Sequence, residues 1–326
     1  SDVAAVGPFG SQLYVASAGD GALTSFDVAA IRYQGRLRDG EAPVTGLAAA
    51  ASGVVSPDGR HVYAGGAGED AVAILERSET DGTLAWLGEI REGVAGAQGL
   101  DGADAATMSP DGEHLFVLGG IGNTVASYGR DALTGALALE SLLTTSTGLA
   151  GLSGPFDADA SPDGRHVYVA GLLDGAIWVL TYGAGDGVLA FVQQATHALG
   201  LVNATGVAVS PDGAHVYASG RSFIGAVITG SIAVFARNAA TGALTQLAVV
   251  QDGVEGVSGL EGGPTGVAVS PDGRFVYAAG GSSDGALTIF ARSPSGLLTQ
   301  TGVLRDGAGA DCLAGGSASE CRDLVE

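Results

Sequence analysis

Lysine is absent from this 326-residue chain; all 14 basic residues are arginine. That excludes Schiff-base chemistry on a lysine amine and a phosphate-binding Walker lysine. Against the 14 arginines stand 35 Asp and Glu, for a net charge of −21. So acidic a surface repels phosphate backbones and anionic lipid, which makes nucleic acid and membrane surfaces poor partners. Cysteine is scarce too. Cys312 and Cys321 are the two in the chain, with no Cys-x-x-Cys or Cys/His spacing beside them, so no zinc site is expected. A disulfide between them is the favoured reading, with two free thiols as the other. The disulfide implies an oxidising compartment, periplasmic or secreted. No apolar run reaches the roughly 18 residues of a membrane-spanning helix. His-Glu-x-x-His and EF-hand patterns are missing as well.

Glycine is abundant, at 56 residues, yet 46% of the chain is apolar. That is enough to build a core, so disorder is not expected. One phrase recurs: SPDGRHVY at 56–63, SPDGEHLF at 109–116, SPDGRHVY at 161–168, SPDGAHVY at 210–217 and SPDGRFVY at 270–277. A decayed copy, GPFGSQLY, sits at 7–14, and successive copies start 49, 53, 52, 49 and 60 residues apart. A strand-rich period near fifty fits a β-propeller best.

Each period reads as four strands. In the fifth they are 205–210, 215–220, 231–238 and 243–253, where Val, Ala, Ile, Tyr and Phe alternate with small or polar residues. Pro-Asp-Gly supplies the first turn: Pro presets φ and Gly takes the positive φ. The reading is an all-β, single-domain, six-bladed β-propeller of four-stranded antiparallel blades, at 1–50, 51–103, 104–155, 156–204, 205–264 and 265–326. The 309–326 tail, with its disulfide, is expected to act as a clamp.

Ser-Pro-Asp-Gly-Arg-x-Val-Tyr, followed by Asp-Gly-Ala-Ile or Asp-Gly-Ala-Leu and then Gly-x-Leu, resembles the lactonase-like or YVTN-type β-propeller superfamily. The resemblance covers essentially the whole chain. It implies the propeller fold and points toward lactonase-type chemistry on a small oxygenated substrate. Its motifs build blades and name no catalytic residue.

In a repeat protein, shared residues mostly build the unit, and function is expected where one unit departs. His61, His114, His166 and His215 occupy one repeated position after the turn, so they read as packing residues rather than a metal ring. Three departures concentrate in the fourth and fifth periods. Asp157 and Asp159 stand two apart on an inner strand, facing one way, where other copies carry small, apolar or hydroxyl residues. They could ligate calcium or act as an acid/base pair; bonding to backbone amides or to a neighbouring arginine is the competing account. His197 is the one histidine outside the repeated position, in a connection that leads to Asn203 and Thr205. The segment Ser219–Gly225 lengthens the second-to-third connection and carries Arg221 and Phe223. Arg221 could bind a carboxylate or stabilise an oxyanion. The glycine-rich stretches at 91–96 and 252–256 recur, so they read as links between blades.

Two functions follow. One is a propeller that binds a small molecule, protein or glycan ligand through its loop face, using Asn203, Thr205 and Phe223. The other is a lactonase-like hydrolase, lyase or isomerase, metal-assisted through calcium at Asp157 and Asp159, with His197 moving the proton and Arg221 holding an acid group.

Overall fold

The structure is a computed structural model that describes residues 3–6, 12–27, 32–196, 201–224, 227–280 and 285–305. Six four-stranded antiparallel sheets follow one another along the chain, each in simple up-and-down order. The first comprises β1 (Val3–Val6), β2 (Gln12–Ser17), β3 (Ala22–Asp27) and β4 (Arg32–Arg38), and the second β5 (Ala50–Val55), β6 (His61–Gly66), β7 (Ala71–Arg77) and β8 (Leu84–Arg91). The third comprises β9 (Ala103–Met108), β10 (His114–Gly119), β11 (Thr124–Arg130) and β12 (Leu137–Leu143), and the fourth β13 (Pro155–Ala160), β14 (His166–Gly171), β15 (Ala176–Tyr182) and β16 (Leu189–Thr196). The fifth comprises β17 (Asn203–Val209), β18 (His215–Ile224), β19 (Val227–Arg237) and β20 (Leu244–Gln251), and the sixth β21 (Gly266–Val269), β22 (Phe275–Ala279), β23 (Ala286–Arg292) and β24 (Leu298–Arg305). The fold is an all-β propeller of six four-stranded blades. Among the described residues no helix is long and apolar enough to cross a membrane.

The chain divides into two compact units, Ser1–Val169 with Leu180–Val192, and Ala170–Val179 with Gln193–Glu326. In the first, one cluster joins the first and second sheets through Tyr14, Leu23, Leu47, Val62 and Leu75. A second joins the second and third sheets through Tyr63, Ile74, Leu100, Leu115, Val117 and Tyr128. In the second unit, Tyr217, Ile232, Val234, Leu260, Val276 and Phe290 do the same for the fifth and sixth sheets. Sheets stacked face to face bury their second strands on both sides, which is why β6 and β10 are buried at every position and read as short apolar runs. The outer strand β8 is buried at none of its positions.

The Ser-Pro-Asp-Gly turn is built as its residues require, and the serine is part of it. Gly59 sits at φ 71°, a value that disfavours a side chain. The Ser56 hydroxyl donates to Asp58 Oδ1 at 2.6 Å and accepts from the His61 amide at 3.0 Å. The same pair of bonds recurs around Ser109, Ser161, Ser210 and Ser270. One expected loop is instead strand. β18 and β19 continue to the pairs Phe223↔Ile228 and Ile224↔Val227, so the segment after Ser219 is a lengthened hairpin rather than an inserted loop. Register continues because the added residues still pair one for one.

Candidate functional site

The two ends of the strands carry different chemistry. At the Pro-Asp-Gly end the polar groups hold sheets together. In the first unit Arg130, at the end of β11, donates to the Tyr63 hydroxyl at 3.0 Å, the Gly112 carbonyl at 3.1 Å, the Asp58 carboxylate at 2.8 Å and His61 Nδ1 at 2.7 Å. Arg77 makes the matching bonds to Tyr14, Gly59 and Gln12. In the second unit Arg292 does so with Tyr217, Gly273, Asp212 and His215. The repeated histidines are buried, and His61 and His215 belong to these joints. Burial, then the Arg130 charge, pulls the His61 imidazole below its ordinary value. Asp58 falls to about 2, because bonds from Ser56 and Arg130 outweigh the cost of burial. A cavity of about 520 Å³ opens at this end, lined by Arg60, His61, Glu76, Arg77 and Leu133 among others. Two of its cations are already engaged: Arg77 as above, and Arg60 with Glu79 at 3.8 Å.

At the opposite end most acids are tied to backbone amides. Asp39 accepts from Leu47 N, Glu92 from Leu100 N and Asp70 from Gly102 N; in the second unit Asp252 accepts from Leu260 N at 3.0 Å. The glycine-rich stretches are therefore links between sheets, as their recurrence predicts. Asp157 and Asp159 both lie on β13 and are half-buried. Asp157 Oδ1 accepts from the Ala158 amide at 2.9 Å, and neither carboxylate is without partners. Among the described residues no three His, Cys, Asp or Glu gather into a set that could hold a metal ion.

One acid is held differently, and the sequence reading passed over it. Asp104, the second residue of β9, is half-buried, and no hydrogen bond or ion pair engages its carboxylate among the described residues. Oδ2 occupies the space where a Cβ on Gly120 would stand, with the Pro155 carbonyl, an acceptor, close by. Burial alone pushes this carboxyl up from its ordinary value. The signal was available in the repeat. Five residues before each motif serine the other described sheets carry Ala51, Phe156, Thr205 and Thr265; Asp2, at the same place in the decayed copy, lies outside the described residues.

In the second unit, Asn203 and Arg221 are register partners across β17 and β18. Asn203 Nδ2 donates to the Leu172 carbonyl at 2.7 Å, and the Thr205 hydroxyl donates to the Pro264 carbonyl. Both side chains thus have structural work. Arg221 is exposed. Its Nε donates to the Gly262 carbonyl at 2.9 Å, its stem lies against Gly263, and no partner engages its terminal nitrogens among the described residues. Phe223 pairs with Ile228 in the hairpin extension. His197, Cys312 and Cys321 lie outside the described residues.

Repeated sheets locked by repeated turn chemistry define a β-propeller protein. The chain matches the family described as "Lactonase, 7-bladed beta-propeller" over residues 11–144 and 140–313, and it belongs to that family. Six sheets are described here where the family description counts seven blades. No curated protein matches the chain. Among solved structures, it is similar to a candidate 6-phosphogluconolactonase of Bacteroides uniformis, with TM-score 0.71 and 22% identity, covering 93% of this chain and 84% of that one. It is also similar to PpgL, the periplasmic gluconolactonase of Pseudomonas aeruginosa, with TM-score 0.66 and 25% identity over 92% and 84% of the two chains. Hydrazine synthase of Kuenenia stuttgartiensis shares the fold alone, with TM-score 0.66 and 19% identity over 88% and 75%.

Proposed function

We propose that this protein hydrolyses a small sugar-acid lactone. The observation that carries the reading is the match to the lactonase propeller family, whose two segments together run from residue 11 to residue 313. The names of two similar structures, a candidate 6-phosphogluconolactonase and a gluconolactonase, support the substrate class. Because one fold hosts many chemistries, the reading must also rest on side chains. Arg221, with its terminal nitrogens unengaged, is assigned to hold an anionic group of the substrate or product. His197 is assigned as a proton carrier. Calcium at Asp157 and Asp159 is left out of the reading: two already partnered carboxylates fall short of the roughly six to eight oxygens calcium takes. An oxidising compartment belongs to the same reading. It requires that thiol titration of the unreduced, unfolded chain find no free thiol at Cys312 or Cys321.

The test is proton release at constant pH from glucono-δ-lactone and from 6-phosphogluconolactone, measured against spontaneous ring opening. Acceleration in proportion to enzyme supports the proposal. Binding of either compound, seen by calorimetry, without acceleration would overturn it in favour of a noncatalytic ligand-binding propeller.

A further inference from the structure

The carboxylate of Asp104 stands in an unfavourable place, and nothing in the fold's construction needs it there. It lies at the strand end opposite the Pro-Asp-Gly turns, away from the joints made by the arginines. The acids that join sheets nearby each accept a backbone amide, which repays part of their desolvation. Asp104 accepts none among the described residues, and the space beside Gly120 that its Oδ2 fills also faces the Pro155 carbonyl, which offers only a lone pair. The absence of a side chain at Gly120 is what leaves room for Oδ2. An unpaired, half-buried carboxylate costs stability whenever it is ionised.

We infer that Asp104 is the general base of lactone opening, held unpaired so that it can accept a proton from water, and that Gly120 is its positioning residue. The inference rests on the lactone-opening reading above and gives Asp104, in place of His197, the role of moving the proton. In the step it describes, the oxygen of a water molecule forms a bond to the lactone carbonyl carbon while its proton passes to Asp104. The tetrahedral intermediate then collapses, the ring carbon–oxygen bond breaks, and the proton held by Asp104 goes to the departing ring oxygen. The product is an open-chain hydroxy acid, which ionises, and Asp104 is a carboxylate again. A carboxylate whose pKa is raised by burial is the stronger base whenever it is ionised.

The experiment compares the parent, Asp104→Asn and Gly120→Ala on the lactone that the parent opens fastest. Asp104→Asn is expected to lower kcat/KM by about 10²–10⁴-fold and to abolish the acid limb of its pH profile. Gly120→Ala, which keeps the carboxylate and crowds it aside, is expected to lower kcat more than it changes KM. Because the ionised Asp104 is destabilising, Asp104→Asn should unfold at the same or a higher urea concentration than the parent at pH 7. That gap should close as the pH falls through the raised value toward the ordinary one near 3.8. Asp104→Asn turning over at the parental rate would overturn the inference and leave the lactonase reading standing. Loss of stability in Asp104→Asn at pH 7 would assign the residue a structural role and overturn it as well. A parent that opens no lactone would remove both.

Discussion

The joint between the second and third sheets and the joint between the third and fourth start from the same turn phrase and arrive at opposite electrostatics. At the first, Arg130 fills the gap and meets Asp58, His61 and Tyr63. At the second, the residue in the place of Arg130 is Tyr182, and Phe116 replaces the Tyr63 counterpart. The rings of Phe116 and Tyr182 lie 4.7 Å apart. The cation lost with the arginine is supplied by His114. Its Nδ1 lies 2.8 Å from Glu140 and its Nε2 3.3 Å from the Ala184 carbonyl, so both ring nitrogens face acceptors, an arrangement that only the imidazolium satisfies. Burial pulls His114 down, but the Glu140 hydrogen bond and then the Ala184 carbonyl outweigh it and raise its pKa. Ser127 also donates to Glu140, and Gly187 leaves the space that this carboxylate fills. The lesson is that the histidine's protonation state is set by the acceptors its ring meets, Glu140 on β12 of its own sheet first and the Ala184 carbonyl after it, not by its turn.

The comparison can be broken most forcefully at Arg130. Arg130→Ala strips partners from Asp58, Tyr63 and His61 together. The expected loss is about 3 kcal/mol, at the low end for a buried charge partner because Asp58 keeps water access. Urea unfolding reads it, and His61, freed of the Arg130 charge, should titrate closer to its ordinary value by NMR. Glu140→Gln is expected to cost about 1–2 kcal/mol at acid pH, and less as the pH rises. The sign follows from linkage. His114 is raised in the folded state, so the stability it contributes is full below its unfolded value near 6.5 and is lost as pH rises through the raised value. His61 is lowered, so its contribution is full above 6.5 and is lost as pH falls through the lowered value. Unfolding curves of parent and Glu140→Gln at pH 5.5 and 8.5 should therefore converge at the higher pH; a constant gap would show that His114 stays neutral. The smallest effect sharpens the contrast. The Tyr182 hydroxyl is buried without a hydrogen-bond partner among the described residues, so Tyr182→Phe should stabilise the fold by up to about 1 kcal/mol. Tyr63→Phe, which installs at that position what Phe116 is in the third sheet, should destabilise the fold, since the Tyr63 hydroxyl donates to Gly135 and receives from Arg130.

Blade construction was legible because the turns leave few choices. Pro, Asp and Gly at fixed offsets report backbone geometry directly, and six copies made the period plain. The bonds of the serine hydroxyl in the turn were not anticipated: Ser and Asp recur two apart in five copies, but Pro, Asp and Gly already accounted for the turn without them. The arginines were missed for the opposite reason. Arg130 and Asp58 are 72 residues apart, and nothing local marks them as partners. Among site residues, Asn203 and Thr205 looked like ligand groups because polar side chains in a connection are legible and backbone carbonyls are not; the carbonyls of Leu172 and Pro264 claim them. Asp104 went unread because its position varies from copy to copy and carries Asp2 in the first, a weaker break of the repeat than Asp157. A lone acid in a small-residue strand is recognisable as functional only once its lack of partners is seen.

The arginines Arg77, Arg130 and Arg292, at the ends of three of the third strands, have a consequence for how such a chain can be inherited or recombined. Each donates to side chains on the second strand of the preceding sheet, so the module that must travel intact is not a sheet. It is the seam: second strand and turn from one sheet, third strand from the next. Transplanting the third sheet alone into another position would bring Phe116 without its tyrosine partner and would separate Glu140 from the turn that accommodates it. A crossover placed within a sheet, between its second and third strands, falls inside two seams at once and would divide both, whereas a crossover between two sheets divides one.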